Sequence, residues 1–417
     1  MPPRASSMPP RAGAEPPLLT RGFATLMGAH FLQGLGWSSL LLLPLFLGVE
    51  LGASRTQIGL IMASAGIAGL VVRPIVAWAL DGIGRKPTLI VGTVLTALGM
   101  AMLIGVDRIG PLLWASRLIC GAGMAALFSG YFAFAADIIP ARRRTEGLAL
   151  FGVSGIVPLF VGPFAGELGV EPAALVYFLP AMALVVLLSL LPLATVSEIR
   201  QRTDGGVLSP RAAWKALRRP ALWPVWLATV LFAGIVVLFM NFVAVTAAAR
   251  GIERPAIFWL SYGFGAIGVR LLGARLPDRI GPANLIAPAL AAQIAAALVV
   301  AAATNETAFL VAGALGGLGH GMCFPVLAAQ VVARSPDQLR GTAIAAFTAL
   351  WEVATVALPP VYGAIGDRAG DSAMFSAGAV GAIAAAAIWA ALEHRYGLPA
   401  PSEPVVIPSV GAAPPVP

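Results

Sequence analysis

Long apolar runs alternate with short clusters of charged and small polar residues along most of this chain. Each run has roughly the twenty residues that an α-helix needs to cross a bilayer. The pattern predicts twelve such helices: 22–47, 56–80, 88–106, 111–139, 145–168, 172–196, 220–248, 256–276, 283–303, 308–333, 341–366 and 372–392. The segment 197–219 between the sixth and seventh is polar and contains Gly205-Gly206. Its stretch 210–219 reads as an amphipathic helix on the membrane surface, either a basic anchor or a lipid-regulated element.

The two sets of six repeat one another. Arg73 precedes Asp81 by eight residues and Gly84 follows by three; Arg270, Asp278 and Gly281 repeat this at an offset of 197. Pro140, Arg144 and Phe151 match Pro336, Arg340 and Phe347 at an offset of 196, and Pro163 and Gly166 match Pro360 and Gly363 at 197. Parallel repeats of six helices about an axis along the membrane normal enclose a central cavity. The expected fold is therefore an all-α membrane protein of two pseudo-symmetric six-helix bundles, 22–196 and 220–392, joined by the linker 197–219. The tails 1–21 and 393–417 are rich in Pro and read as disordered. Met8 opens a near-duplicate of the first five residues and can serve as the start; no cleavable signal peptide is evident.

Composition supports the membrane reading: 59% hydrophobic and only 11% charged among 417 residues, against about 25% charged in an average soluble domain. The formal charge of +8 lies in the connections between apolar runs, which argues against nucleic-acid binding. Lys and Arg concentrate at one set of connections, including Arg85, Lys86, Arg142, Arg143, Arg144 and Arg334. The opposite set holds only Arg55, Arg108, Arg250, Arg254 and Arg368. The arginine-rich side is expected to be cytoplasmic, with both termini inside and the protein in the cell membrane. Cys120 and Cys323 match neither a disulfide framework nor a metal site, and no metal or cofactor is expected.

The connection Asp81-Gly82-Ile83-Gly84-Arg85-Lys86 resembles the signature loop of the major facilitator superfamily, with Gly82 where a basic residue is usual. The second copy, around Asp278 and Arg279, keeps that basic residue and loses the later pair. The resemblance covers roughly residues 22–392. It implies that Asp81 meets the start of the eleventh helix and that Arg85 pairs with Asp137, contacts that can hold the cytoplasmic side closed. A carboxylate facing a helix N-terminus is stabilised by its free amides and dipole. Arg117, followed by Gly121 and Gly123, resembles the family's fourth-helix motif, in which a buried Arg is linked to proton coupling; snorkelling to the outer surface is the alternative. Gly162, Pro163 and Gly166 resemble the exporter-associated motif of the fifth helix, with Pro158 and Glu167 departing from it. The same residues can also serve plain close packing.

The resemblance implies that helices one, four, seven and ten line the cavity. His30, Gln33 and Trp37 share one face of the first; Met124 and Tyr131 lie with Arg117 in the fourth; Asn241 and His320 stand in the seventh and tenth, and Trp351 in the eleventh. Glu352 is the one acid deep within an apolar run, roughly 16 Å from the inner end at helical rise. A carboxyl there can exchange a proton as the cavity opens to each side, assisted by His30 or His320; a fixed partner between the halves is the alternative. Arg73 and Arg270 suit snorkelling, pairing across the halves, or an anionic substrate. HExxH, nucleophile, paired-carboxylate and nucleotide-loop patterns are not found, so an enzyme is not expected. The expected protein is a monomeric secondary transporter in a lipid bilayer, exporting a small organic compound in exchange for protons. Proton-coupled uptake or facilitated passage of a metabolite is the alternative; a membrane sensor that transports nothing is the reading from a different class.

Overall fold

The computed structural model describes residues 17–140, 143, 147–148, 150–158, 170–198, 218–273, 280–336 and 340–397. Among them every regular element is helical. The α-helices are α1 (Arg21–Ser38), α2 (Leu43–Val49), α3 (Arg55–Gly82), α4 (Arg85–Ala101), α5 (Pro111–Ile138), α6 (Leu175–Leu188), α7 (Leu190–Thr195), α8 (Trp223–Ala249), α9 (Ile257–Leu272), α10 (Ile286–Ala302), α11 (Glu306–Ala333) and α12 (Arg340–Tyr396). Local signals set several starts. Thr20 and Asn305 accept from the amides of Phe23 and Ala308, and Ser54 forms a reciprocal capping box with Gln57.

Elements and crossings do not correspond one to one. The first predicted helix is interrupted by a 3₁₀ turn, Ser39–Leu42, before α2. Pro44 has no amide to donate, and the hydroxyls of Ser38 and Ser39 donate to Leu35 O and Gly36 O, which bends the ladder. The last two predicted helices are joined almost without a loop: α12 is broken only at Gly370, whose φ of 84° falls in the left-handed region. Nine apolar segments among the described residues are long enough to cross a membrane, the last of them 54 residues long. With that one divided at Gly370 and with the 16-residue α9 added, the described residues supply eleven crossings. The predicted fifth helix is described at residues 150–158, which are helical; the rest of its membrane-spanning length lies mostly outside the described residues.

The buried apolar residues form two main groups. One contains Phe23, Leu26, Leu89, Tyr131, Phe134, Phe151 and Leu193, all from elements before residue 198 and all toward the arginine-rich end. The other runs through α8 to α12 and also takes in Leu40–Leu47, Ile58, Met100, Leu113 and Leu179, at the arginine-poor end of the earlier elements. The N-terminal and C-terminal elements thus share a core at one end only.

That end is closed by direct backbone approach. A Cβ on Gly59 would meet the carbonyl of Pro359 and lie 2.8 Å from Pro360 N; a Cβ on Gly363 would meet the carbonyl of Arg55 and lie 2.7 Å from Thr56 Cα. Small residues let two helices touch this closely. α3 lies along α12 there, and it is at this end that α12 carries Asp367 and Asp371.

Candidate functional site

Arg73 on α3 and Glu352 on α12 form an ion pair, the second between N- and C-terminal elements among the described residues, after Arg55–Asp371. Arg73 Nη1 also lies 3.4 Å from Thr348 Oγ1, one turn from Glu352. Arg73 Nε and Glu352 Oε2 are buried without a hydrogen-bond partner. Because α3 continues to Gly82, Arg73 stands nine residues from its end, roughly 14 Å at helical rise. That is two residues deeper than in the span 56–80 read from the sequence, and nearly level with Glu352. The pair is only partly buried, with side chains 29% and 21% exposed. The free carboxylate oxygen, Oε2, is itself covered.

Trp351, the neighbour of Glu352, belongs to an aromatic group. Its ring lies 5.4 Å from Phe232 on α8 and 6.2 Å from Phe324 on α11, and Phe232 meets His320 edge-on at 5.2 Å. His320 Nδ1 is 2.7 Å from the hydroxyl of Tyr262 on α9. The second histidine sits in a separate aromatic setting. His30 stacks on Phe151 at 4.7 Å and 10°, lies 4.8 Å from Tyr131, and bonds Ser154 through Nδ1. Gln33, one turn on, points Nε2 at Met124 Sδ, 3.4 Å away. Trp37 is partly buried against the larger core. The structure therefore places the candidates on two surfaces, His30–Gln33–Met124–Tyr131 and Phe232–His320–Phe324–Trp351–Glu352.

Other candidates are placed differently. Asn241 is buried, and its Nδ2 donates to Val237 O of its own helix at 2.6 Å, so its donor is already used within α8. Arg117 is buried with Nε unpartnered. Asp278, Arg279, Gly162 and Pro163 lie outside the described residues.

At the arginine-rich end, Arg85 Nε donates to Asp137 at 3.1 Å and Nη1 donates to Asp81 at 3.0 Å. Asp81 is 65% exposed. Glu198, which the sequence pattern did not single out, accepts from the amides of Arg85 and Lys86 at 2.7 and 2.9 Å and so caps α4. Lys86 Nζ in turn donates to the carbonyls of Ala194 and Val196 at the end of α7. Arg334 does the same work among the C-terminal elements, bridging Gln330, Ala221 O and Glu393.

The opposite end holds a cluster that sequence reasoning also missed. Asp367 accepts from Ser54 Oγ at 2.9 Å, Arg55 N at 2.7 Å and Thr56 N at 2.9 Å. Asp371 takes a two-pronged bond from Arg55 Nε and Nη2, both at 2.8 Å. A carboxylate from α12 thereby caps α3 from the far side of the interface. The available signal was a pair of acids facing the one basic residue of the connection before α3, but only the fold brings them together.

Length, apolarity, an all-helical fold and a polar pair within the spans define a polytopic membrane protein built like a transporter. The family model described as Major Facilitator Superfamily matches residues 26–354 and 290–405, and the chain belongs to that family of transporters. An uncharacterised MFS-type transporter of Salmonella typhimurium is 27% identical over 363 residues, covering 84% of this chain and 90% of that one. Multidrug resistance protein 1 of Bacillus subtilis is 28% identical over 149 residues, 36% of this chain and 38% of that one. Among solved structures, the nucleoside transporter NupG superposes with a TM-score of 0.71 at 15% identity, covering 89% of this chain and 99% of that one. A POT family transporter in complex with a thioalcohol conjugated peptide gives 0.77 at 13%, covering 91% and 97%. At such identities these two likenesses speak to the fold.

Proposed function

We propose that this protein is a proton-coupled exporter of a small organic compound, working by alternating access between bundles 22–196 and 220–392. The reading puts it in the cell membrane as a monomer with both termini in the cytoplasm. The observation that carries the reading is the Arg73–Glu352 pair, a partly buried carboxylate within a span, tied across the interface to a cation. A proton on Glu352 cancels the attraction that joins α3 to α12 at that level. Loss of the proton to the cytoplasm restores it and re-forms the charged site. Proton entry and substrate exit are coupled if the loaded substrate and the proton exclude one another there. The partly exposed rings of Phe324 and Trp351, set over the buried Phe232, suit an amphipathic compound. The name of the Bacillus subtilis relative leans the same way over the third of the chain that it matches. Asp81, Arg85 and Asp137 then act in closing the cytoplasmic side, with Asp278 and Arg279 as their repeat and Gly162 and Pro163 as the bend of the fifth helix.

The test is transport in proteoliposomes with and without an imposed pH gradient, using ethidium first. A thermal-shift screen of drugs, sugars, amino acids and siderophore-like anions then extends the substrates tried. Glu352→Gln is expected to lose gradient-driven transport at least tenfold while passive exchange continues. Full gradient-driven transport by this variant would remove Glu352 from the coupling. Transport indifferent to the gradient in the unaltered protein would favour facilitated passage.

A further inference from the structure

His30 is held in one orientation by a single helical face. Phe151, Ser154 and Gly155 stand at i, i+3 and i+4 within helical residues 150–158. Phe151 stacks beneath the imidazole, with ring centroids 4.7 Å apart. Ser154 Oγ lies 2.8 Å from Nδ1. Gly155 leaves the space the ring fills: a Cβ there would lie 2.7 Å from His30 Cε1 and 3.3 Å from Nε2. Tyr131 closes another side at 4.8 Å.

The proton count of this contact fixes the tautomer. The Ser154 hydroxyl has one hydrogen, and Oγ also lies 2.6 Å from the carbonyl oxygen of Phe151. A carbonyl only accepts, so the serine hydrogen is committed to it. The 2.8 Å contact to His30 must then be supplied with a hydrogen by the imidazole, so Nδ1 carries the proton and Oγ accepts it. In the neutral ring Nε2 is left with its lone pair and is an acceptor. It has no protein donor among the described residues, while the residue keeps 8% of its surface exposed. Nε2 is not among the fully covered orphan atoms of the described residues, so a ligand or water can supply the donor that the protein does not. Gln33 and Met124, on the same surface, offer a partly polar, deformable neighbour.

We propose that His30 is a specificity-determining residue: a preset hydrogen-bond acceptor whose Nε2 receives an N–H or O–H donor of the transported compound. Phe151, Ser154 and Gly155 are its positioning residues. The role in transport rests on the reading of the preceding section, but the tautomer does not.

The experiment is ¹⁵N NMR of the imidazoles in the full chain in lipid nanodiscs at neutral pH, with the His30 signal identified by its loss in His30→Asn. The unaltered protein is expected to show protonated Nδ1 and bare Nε2. Ethidium, which carries amine donors, is expected to move the Nε2 resonance, whereas tetraphenylphosphonium, which has no donor, leaves it in place. His30→Phe should weaken ethidium binding about tenfold with tetraphenylphosphonium unchanged. Gly155→Ala, by displacing the ring, should do the same with the imidazole still present. Ser154→Ala should produce a mixture of tautomers. A protonated Nε2 in the unaltered protein overturns the assignment. So does an Nε2 signal that ignores ethidium, or one that answers both cations alike. Each of these failures leaves proton-driven transport through Glu352 standing, so the two readings fall separately.

Discussion

The two ends of the molecule use their charges for opposite purposes. At the arginine-rich end, Arg85 with Asp81 and Asp137, and Glu198 over α4, tie N-terminal elements to one another; Arg334 with Glu393 ties C-terminal elements to one another. At the arginine-poor end, Arg55 with Asp371, and Asp367 over α3, tie the first set to the second. The apolar cores follow the same division, merging only where these cross-links stand. One end is built from two separately braced bodies and the other is a latch between them. On the proposed alternating-access reading, that is the arrangement of a state closed on the arginine-poor side. The conformational change is then expected to break contacts at Asp367 and Asp371 while leaving the Arg334 and Glu198 braces whole.

The largest effect on this division is expected from Gly59→Leu. Its side chain would occupy the position now held by the Pro359 carbonyl, so the latch end cannot close as it does here. Helix backbone cannot give way as a flexible side chain can. The variant should lose transport altogether. Spin labels at Glu50 and Glu253, both exposed at that end, should report one longer distance in pulsed electron resonance. An unchanged distance would mean that α3 and α12 do not seal this end. Gly121→Leu, whose Cβ would press on Ala65 of the same N-terminal set, should instead destabilise folding and leave the label distance of the surviving protein unchanged.

A smaller shift is expected when the latch is weakened rather than blocked. Asp367→Ala removes a helix cap, worth about 0.5–2 kcal/mol, or roughly a 2- to 30-fold change in the balance of states. The same labels should show two populations, the longer one enlarged by that factor. Adding Asp371→Asn removes the two-pronged Arg55 bond and should enlarge it further. A double variant indistinguishable from the unaltered protein would reduce the cluster to ordinary loop solvation.

How much of this was legible beforehand depends on the range of the interaction. Crossing helices were readable because a bilayer demands about twenty apolar residues whatever lies next to them. Their ends were less so: Pro44 and the two preceding serines break the first crossing, but an apolar count sees only Leu40–Leu47 as one run. α3 winds on through Asp81 and Gly82, residues whose polarity reads as a loop, and so sets Arg73 two residues deeper than the span 56–80 does. Glu352 was conspicuous as a lone acid, yet its partner could not be read, since nothing in the local pattern links positions 279 residues apart. Asp367, Asp371 and Glu198 looked like ordinary connection charges, and only the packing of α3 on α12 and of α4 beside α7 gives them a partner. Likewise the imidazole slot became visible only when residues 150–158 were set beside α1.

The smallest effect is expected from Glu198→Gln, and it sharpens the comparison from the other side. Glu198 accepts from the amides of Arg85 and Lys86, the first two residues of α4, and those amides have no partner within the helix. Gln keeps one acceptor oxygen and loses the negative charge that the helix N-terminus favours, a loss of about 0.3–1 kcal/mol. The apparent unfolding temperature in detergent should therefore fall by about 1–3 °C. Because Glu198, α4 and α7 all belong to the N-terminal set, the label distance at Glu50 and Glu253 should not change, and gradient-driven transport should stay within about fivefold, the factor such an energy allows. A changed distance with no change in unfolding temperature would show that Glu198 acts between the two bodies, and the separation of bracing from latching would fail at the end where it is most clearly drawn.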